Sequence, residues 1–331
     1  MKKIRVAING FGRIGRVATR AILKKNTIEL VAINDLADTA TLAHLFKYDS
    51  IHGKFNGTVS SDEKNIFING NEIKIYAIKD PSLLPWKELN IDVVIESTGL
   101  FLSEEKAGRH ISAGAKKVII SAPPKGKGIK SVVLGVNENI LDGSEKIISN
   151  ASCTTNCSAP LVKILDENWG IEEGFISTTH AYTSDQRLHD APHRDLRRAR
   201  AAGVSIVPTS TGAAKAIAKI FPHLDGKLFG SAFRVPVPSG SLTDITCTLK
   251  KSATKEDINA IFKKYSESSL KNILEYTDEP LVSVDIIGNP HSCIFDSKLT
   301  TAFDKMVKLI GWYDNEAGYS HRLADLAEKV G

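Results

Sequence analysis

The chain has 331 residues, 42% hydrophobic and 24% charged, with a net charge of +5. At roughly 150 residues per domain this predicts two domains with sizeable cores, and the balanced composition excludes disordered, collagen-like and low-complexity assemblies. So small a net charge over this length gives no argument for nucleic acid as a partner.

No run approaches the roughly 18 apolar residues of a transmembrane helix, so no membrane is expected. Arg5, Asn9 and Arg13 break the apolar stretch that a secretory leader needs. Four cysteines, Cys153, Cys157, Cys247 and Cys293, are too few for a disulfide framework. The expected setting is a reducing cytoplasm, where a special cysteine is reactive rather than structural.

In chain order, Ile4 to Ile8 reads as a buried strand and Arg13 to Lys25 as a helix, and Ile28 to Ile33 is a second strand ending at Asn34-Asp35. Asn69-Gly70, between Ile66–Ile68 and Glu72–Ile78, marks a hairpin. Val93–Ile95 and Val118–Ile120 are further short strands, and Ser103 caps a helix opened by Glu104 and Glu105. Alternating strands and helices predict an α/β, doubly wound parallel sheet covered on both faces, as in Rossmann folds. After Asn150 the pattern changes. Leu242–Leu249 and Met306–Tyr313 alternate in polarity, and Lys255–Ser268 and Glu316–Val330 have helical period. These predict an α+β domain with a mixed or antiparallel sheet. The expected boundaries are 1–150 and 151–315, with a C-terminal helix at 316–331 packing back on the first domain.

Gly10-Phe11-Gly12-Arg13-Ile14-Gly15 follows a strand and opens a helix, and Asp35 ends the next strand about twenty residues on. The glycines permit a tight turn and close approach of a pyrophosphate to the helix start, and the Asp35 carboxylate would accept from a ribose hydroxyl. A carboxylate there repels a 2′-phosphate, so the pattern predicts NAD over NADP.

Cys153 lies in Ser149-Asn150-Ala151-Ser152-Cys153-Thr154-Thr155-Asn156-Cys157, which runs into a helical pattern over Ser158–Asn168. A cysteine near a helix start is expected to favour the thiolate. Cys247 and Cys293, in apolar strand-like runs, read as small buried hydrophobes. Neither the Cys153/Cys157 pair nor His189/His193 has the companions of a zinc site, so no metal is expected. Among nine histidines, His44, His110 and His321 read as packed or surface residues. His180, at a strand end beside polar loop residues, suits acid–base work, although spacing alone does not single it out. Arg194, Arg197, Arg198 and Arg200, beside Thr209-Ser210-Thr211-Gly212, form either a solvated basic helix face or a phosphate site.

Taken together, these stations resemble glyceraldehyde-3-phosphate dehydrogenases over essentially the whole chain. The carriers are Asn9 to Arg16, Ser149 to Cys157, His180-Ala181-Tyr182-Thr183, Asp195 to Arg200, Thr211 to Lys215, Arg234-Val235-Pro236 and Trp312 to Glu316. The resemblance implies phosphorylating oxidation of D-glyceraldehyde 3-phosphate with NAD and inorganic phosphate through a cysteine thioester. Cys153 would be the nucleophile and His180 its base. Thr183 and Arg234 would hold the substrate phosphate. Ser152, Thr154, Thr211, Gly212 and an arginine would hold inorganic phosphate; Arg198 aligns best, with Arg197 one residue away. Gly10, Gly12, Arg13, Ile14, Asp35, Lys79, Ser121 and Asn315 would contact NAD, the last at the nicotinamide carboxamide. A homotetramer is implied, with residues 181–205 lining a subunit interface.

Asp190-Ala191-Pro192-His193 departs from the pattern. NAD-specific relatives have Leu then Pro here, and photosynthetic NADP-accepting ones Ala then Ser. Pro192, and Leu36 after Asp35, follow the NAD type and Ala191 the other, so NAD preference with some NADP use is expected. The rivals are an erythrose-4-phosphate dehydrogenase, which the presence of Thr183 and Thr211-Gly212 disfavours, and a non-catalytic NAD- or RNA-binding protein on the same fold.

Overall fold

The computed structural model describes residues 2–331, and the chain divides into two compact units. The first reaches to Val132 and adds Glu138–Ala151 and Ser320–Gly331; the second comprises Val133–Asn137 and Ser152–Tyr319. Among the described residues no helix is long and apolar enough to cross a membrane.

The first unit is built on nine strands: β1 (Ile4–Asn9), β2 (Ile28–Asn34), β3 (Val59–Ser61), β4 (Asn65–Ile68), β5 (Asn71–Tyr76), β6 (Val93–Glu96), β7 (Lys117–Ile120), β8 (Lys130–Ser131) and β9 (Ile147–Ser149). Their order is β3-β4-β5-β2-β1-β6-β7-β9-β8. From β5 to β8 every neighbour is parallel, and only the β3-β4-β5 edge is antiparallel. Helices α1 (Arg13–Ile22), α2 (Thr39–Lys47) and α3 (Glu104–Ser112) belong to this unit. The apolar runs of β1, β6 and β7 are almost wholly buried, as parallel strands covered on both faces must be. Asn69 and Gly70 adopt φ of 52° and 80°, the paired positive values of a tight hairpin turn. The α1 helix stops at Ile22, short of the expected Lys25, because Lys24 and Lys25 N–H bond to Ala21 and Ile22 carbonyls in a tighter final turn.

A buried polar network ties β1 to β6. The Trp86 indole N–H donates to His110 Nδ1 at 3.0 Å, which leaves the proton of a neutral ring on Nε2, 3.0 Å from Glu96 Oε2. Glu96 also accepts from Asn9 Nδ2 at 2.5 Å and from the Thr98 N–H at 2.8 Å. His110 is thus a packed histidine, fully buried.

The second unit carries β10 (Ile171–Ala181), β11 (Val207–Thr209), β12 (Leu228–Val235), β13 (Ser241–Leu249), β14 (Leu274–Thr277), β15 (Cys293–Asp296), β16 (Thr301–Phe303) and β17 (Met306–Tyr313). Their order is β11-β12-β10-β13-β17-β15-β14, with β16 beside β17. The sheet is mixed: β10 runs parallel to β12 and antiparallel to β13, which is antiparallel to β17. Helices α4 (Cys153–Trp169), α5 (Ala213–Ile220) and α6 (Lys255–Glu267) pack on it, and α7 (Ala317–Val330) ends the chain. Along β13 buried residues alternate with half-buried ones, the signature of a sheet covered on one face. Elsewhere on this sheet Phe175 and Phe229, cross-strand partners with ring centroids 5.8 Å apart, are exposed, as is Phe233. Cys247 and Cys293 are buried within β13 and β15, the core role their apolar neighbours predict.

Candidate active site

In the first unit a cleft of about 730 Å³ opens at the C-terminal ends of β1, β2 and β6. Its lining includes Gly10, Gly12, Asp35 and Lys79, the side of a parallel sheet where strand order switches and ligands bind. Gly10 has φ +93° and its missing Cβ would meet Thr98 N at 2.8 Å. At Gly15 a Cβ would stand 2.2 Å from the Gly10 carbonyl, so only glycine lets α1 pack this closely on the turn. Gly12 has nothing within 4 Å of the corresponding position and leaves the loop open to a phosphate. Asp35 accepts the Phe11 N–H at 2.7 Å and the Ala37 N–H at 3.1 Å, and a carboxylate with four lone pairs still has room for ribose hydroxyls. This cleft fits an adenine dinucleotide.

Arg13 and Ile14 occupy the first turn of α1, and Arg13 Nη1 lies 2.7 Å from Asp49. Burial alone would raise the Asp49 carboxyl; hydrogen bonds from His52, Ile51 and Arg13 outweigh it and hold the group well below the usual range. Ser121 follows β7, its N–H bonded to the Glu96 carbonyl, and is not among the lining residues. Asn9, Leu36, Thr98 and Arg109 also line the cleft; of these Thr98 and Arg109 were not singled out by sequence, and for Thr98 the Ser97-Thr98-Gly99 run at a strand's C-terminal end was the available signal.

In the second unit α4 begins at Cys153, five residues before the expected Ser158, with Ser152 as N-cap accepting the Thr155 N–H at 3.1 Å. Ala151, just ahead, is held at φ 55°, a left-handed conformation that turns the chain into the helix. Cys153 Sγ stands 3.4 Å from His180 Nε2, at the end of β10. His180 Nδ1 lies 2.7 Å from the Ala181 carbonyl and 2.7 Å from Arg234 Nη1. These two contacts ask for opposite tautomers. The carbonyl can only accept and the guanidinium can only donate, but Arg234 Nη1 has the Ala181 carbonyl itself as an acceptor at 2.9 Å. We therefore place the proton on Nδ1 and leave Nε2 bare toward the sulfur, with Arg234 as a like-charge neighbour that opposes an imidazolium. Burial first, and then Arg234, hold His180 down to about 3.

The thiol differs from expectation. Burial pushes Cys153 up, outweighing the charge of Arg234 and the donors at the helix start. A raised thiol and a lowered imidazole both work against a preformed thiolate–imidazolium pair.

Thr154 Oγ1 bonds the Tyr313 hydroxyl at 2.9 Å, and the Tyr313 ring stands edge-on 5.9 Å from His180. Sequence reasoning missed Tyr313, whose part depends on β17 lying near α4. Arg234 Nη1 also donates to the Ala181 carbonyl at 2.9 Å, while its buried Nε has no partner among the described residues. Arg198 Nε donates to Thr209 Oγ1 at 2.8 Å and its Nη1 pairs with Asp185; Arg197 lines a separate depression with Asp195, Leu196 and Ser210. Residues 194–200 form turns, not the basic helix face that their charge run allowed. Thr211 and Gly212 precede α5, Gly212 being its N-cap. Thr183 follows β10, its carbonyl accepting the Gln186 N–H. No hydrogen bond joins Thr183, Thr211 or Gly212 to Cys153 or His180 among the described residues. Asn315 is buried, its Oδ1 accepting from Ser241 Oγ at 2.9 Å. No group of three or more metal-ligating side chains occurs among the described residues.

A dinucleotide cleft in one unit and a cysteine sulfur 3.4 Å from an imidazole in the other fit one class, an NAD-dependent oxidoreductase that acts on an aldehyde. Two family models match, described as "Glyceraldehyde 3-phosphate dehydrogenase, NAD binding domain" over residues 4–104 and "Glyceraldehyde 3-phosphate dehydrogenase, C-terminal domain" over 152–315. The chain belongs to the glyceraldehyde-3-phosphate dehydrogenase family. Among its relatives, "Glyceraldehyde-3-phosphate dehydrogenase" of Mycobacterium avium is 57% identical, and that of Mycolicibacterium smegmatis 56%. "Glyceraldehyde-3-phosphate dehydrogenase 2" of Streptomyces avermitilis is 54% identical. Each match covers 99% of this chain and 98% of the relative.

Proposed function

We propose that the chain oxidises D-glyceraldehyde 3-phosphate to 1,3-bisphosphoglycerate with NAD and inorganic phosphate, with catalysis by Cys153 and His180. The observation that carries this reading is the 3.4 Å approach of Cys153 Sγ to His180 Nε2. As sulfur attacks the aldehyde carbon, bare Nε2 takes the thiol proton and a hemithioacetal forms on Cys153. The Cys153 N–H and the protonated Nε2 are the donors available to the developing alkoxide. Bound NAD supplies the hydride acceptor. Cys153 then holds the acyl group as a thioester, which inorganic phosphate can open, releasing the sulfur as leaving group.

Arg234, with its unpartnered Nε, is assigned with Thr183 to the substrate phosphate. Ser152, Thr154, Thr211, Gly212 and Arg198 are assigned to inorganic phosphate, supported by the hydroxyls and free N–H groups that two helix starts offer an anion. In the NAD unit, residues to about 150, Gly10, Gly12, Arg13, Ile14, Asp35, Lys79 and Ser121 are assigned to the coenzyme. Asn315, in the catalytic unit, is assigned to its carboxamide. A homotetramer is the expected assembly, supported by exposed Phe175, Phe229 and Phe233 on the sheet and exposed Leu188, Leu196 and Val204 in the 181–205 segment. Four free cysteines fit a reducing cytoplasm.

The test is NADH formation from glyceraldehyde 3-phosphate, with phosphate omitted, NADP substituted, or erythrose 4-phosphate offered in its place. Phosphate-dependent turnover with NAD is the expected result; equal turnover on erythrose 4-phosphate, or indifference to phosphate, overturns the reading.

A further inference from the structure

Strand order brings three functional elements to one end of the second sheet. β13 lies between β10 and β17, and its first residue, Ser241, pairs with Tyr313 at the end of β17. On the other side Ser241 Oγ accepts the Ala181 N–H at 3.1 Å, one residue beyond His180. Its own proton goes to Asn315 Oδ1 at 2.9 Å, and no other acceptor lies within reach of this hydroxyl among the described residues.

That single proton decides which way the Asn315 amide faces. Ser239 Oγ lies 3.4 Å from the same Oδ1, but its proton is committed to the Asp314 carboxylate at 2.9 Å. It does not hold the oxygen there, and its lone pairs would accept the NH₂ instead, which leaves Ser241 as the one group among the described residues that fixes the oxygen end. Turning the amide over would set its NH₂ against Ser241 and strand the Ser241 proton in a site 1% exposed, where water cannot replace the lost acceptor. Asn315 Nδ2 is therefore left as the outward end, with no hydrogen bond to protein among the described residues.

We propose that Ser241 is a positioning residue for the coenzyme: it locks the Asn315 amide so that the site offers the nicotinamide carboxamide a donor and never an acceptor. This rests on the assignment of Asn315 given above. The same hydroxyl holds the peptide N–H of Ala181, whose carbonyl fixes His180 Nδ1. One hydrogen-bond chain thus orients both the base and the group that holds the nicotinamide.

The test measures dissociation constants by calorimetry, without aldehyde, for NAD and two analogues. Thionicotinamide adenine dinucleotide keeps the NH₂ donor but presents sulfur, a weak acceptor; the 3-acetylpyridine analogue keeps the carbonyl and has no N–H. The locked amide makes the native protein prefer NAD over the thio analogue. In Ser241→Ala the freed amide can turn and accept the thioamide N–H, so that preference should fall by about threefold to tenfold, the worth of one net hydrogen bond. Ser241→Thr, which keeps the hydroxyl, should restore it. These ratios do not depend on the active fraction, so partial misfolding cannot imitate the result. A Ser241→Ala protein with the native preference overturns the proposal. Asn315→Asp separates the two readings: an acceptor-only side chain should disfavour the acetylpyridine analogue relative to NAD. If Asn315→Asp leaves every ratio unchanged, the assignment of Asn315 itself fails.

Discussion

Arg234 sets a guanidinium nitrogen 2.7 Å from His180 Nδ1, on the opposite side of the ring from the sulfur of Cys153. A cation so placed keeps the base neutral, and an anion bound to that cation relaxes the constraint. Glycerol 3-phosphate, which carries the substrate's phosphate, or Arg234→Leu, should move the His180 titration upward from about 3, stopping short of the ordinary imidazole value because burial remains. Ring nitrogen shifts of labelled histidine would follow it; a titration indifferent to both changes removes Arg234 as a cause. The sign for stability follows. The folded value lies below the unfolded one of about 6.5, so this contribution is full above that pH and is lost as the pH falls toward about 3.

Cys153→Ser should lose about a thousandfold or more of phosphorylating turnover, the scale on which removal of a nucleophile is felt, while NAD affinity stays near native. His180→Asn should cost about a hundredfold to ten-thousandfold. Steady-state rates with an independent binding titration check both, and near-native turnover in Cys153→Ser would remove the sulfur from the mechanism.

The two later glycines of the fingerprint should separate cleanly. Gly15→Ala drives a methyl to 2.2 Å from the Gly10 carbonyl and should destabilise by about 1–3 kcal/mol, seen as a lower Tm. Gly12→Ala meets nothing within 4 Å, so Tm should hold. The dissociation constant for NAD should nevertheless rise about tenfold or more, because the added methyl keeps the pyrophosphate from a charge-assisted hydrogen bond to the loop. Equal effects of both variants on Tm would contradict this division.

Asp35→Ala should shift the NADP-to-NAD ratio of kcat/KM upward by about tenfold to a hundredfold, the factor expected when a like charge a few ångströms from a phosphate is removed. Asp35 keeps two backbone partners, Phe11 and Ala37, so part of any NAD loss in this variant reflects a loosened loop. A variant whose NADP use stays at the native level would place the discrimination elsewhere, with Leu36 and Ala191 the next positions to change.

What was legible in the sequence was local. The needs of Gly10 and Gly15 are set by a turn and one helix start, and the hairpin at Asn69-Gly70 needs only two positive φ values, so short stretches announce them. Ser241 and Tyr313 were silent, because each acts through strands whose neighbours are fixed by the order of the whole sheet. The Cys153 thiol was misjudged for a related reason. A helix start is visible in the chain, whereas the burial that outweighs it comes from segments far away in sequence. His110 shows the opposite case, a side chain passed over as ordinary that ties Trp86 to Glu96 behind the β6 end of the cleft.

The cramped seat of Gly15 against the Gly10 carbonyl bears on how such chains age in evolution. A descendant that abandoned its coenzyme would still be purged of any larger residue there, since the penalty falls on folding itself. Gly12 would drift freely once nothing lay against it. Survival of the third glycine without the second would therefore mark a lineage that kept the architecture and surrendered the chemistry.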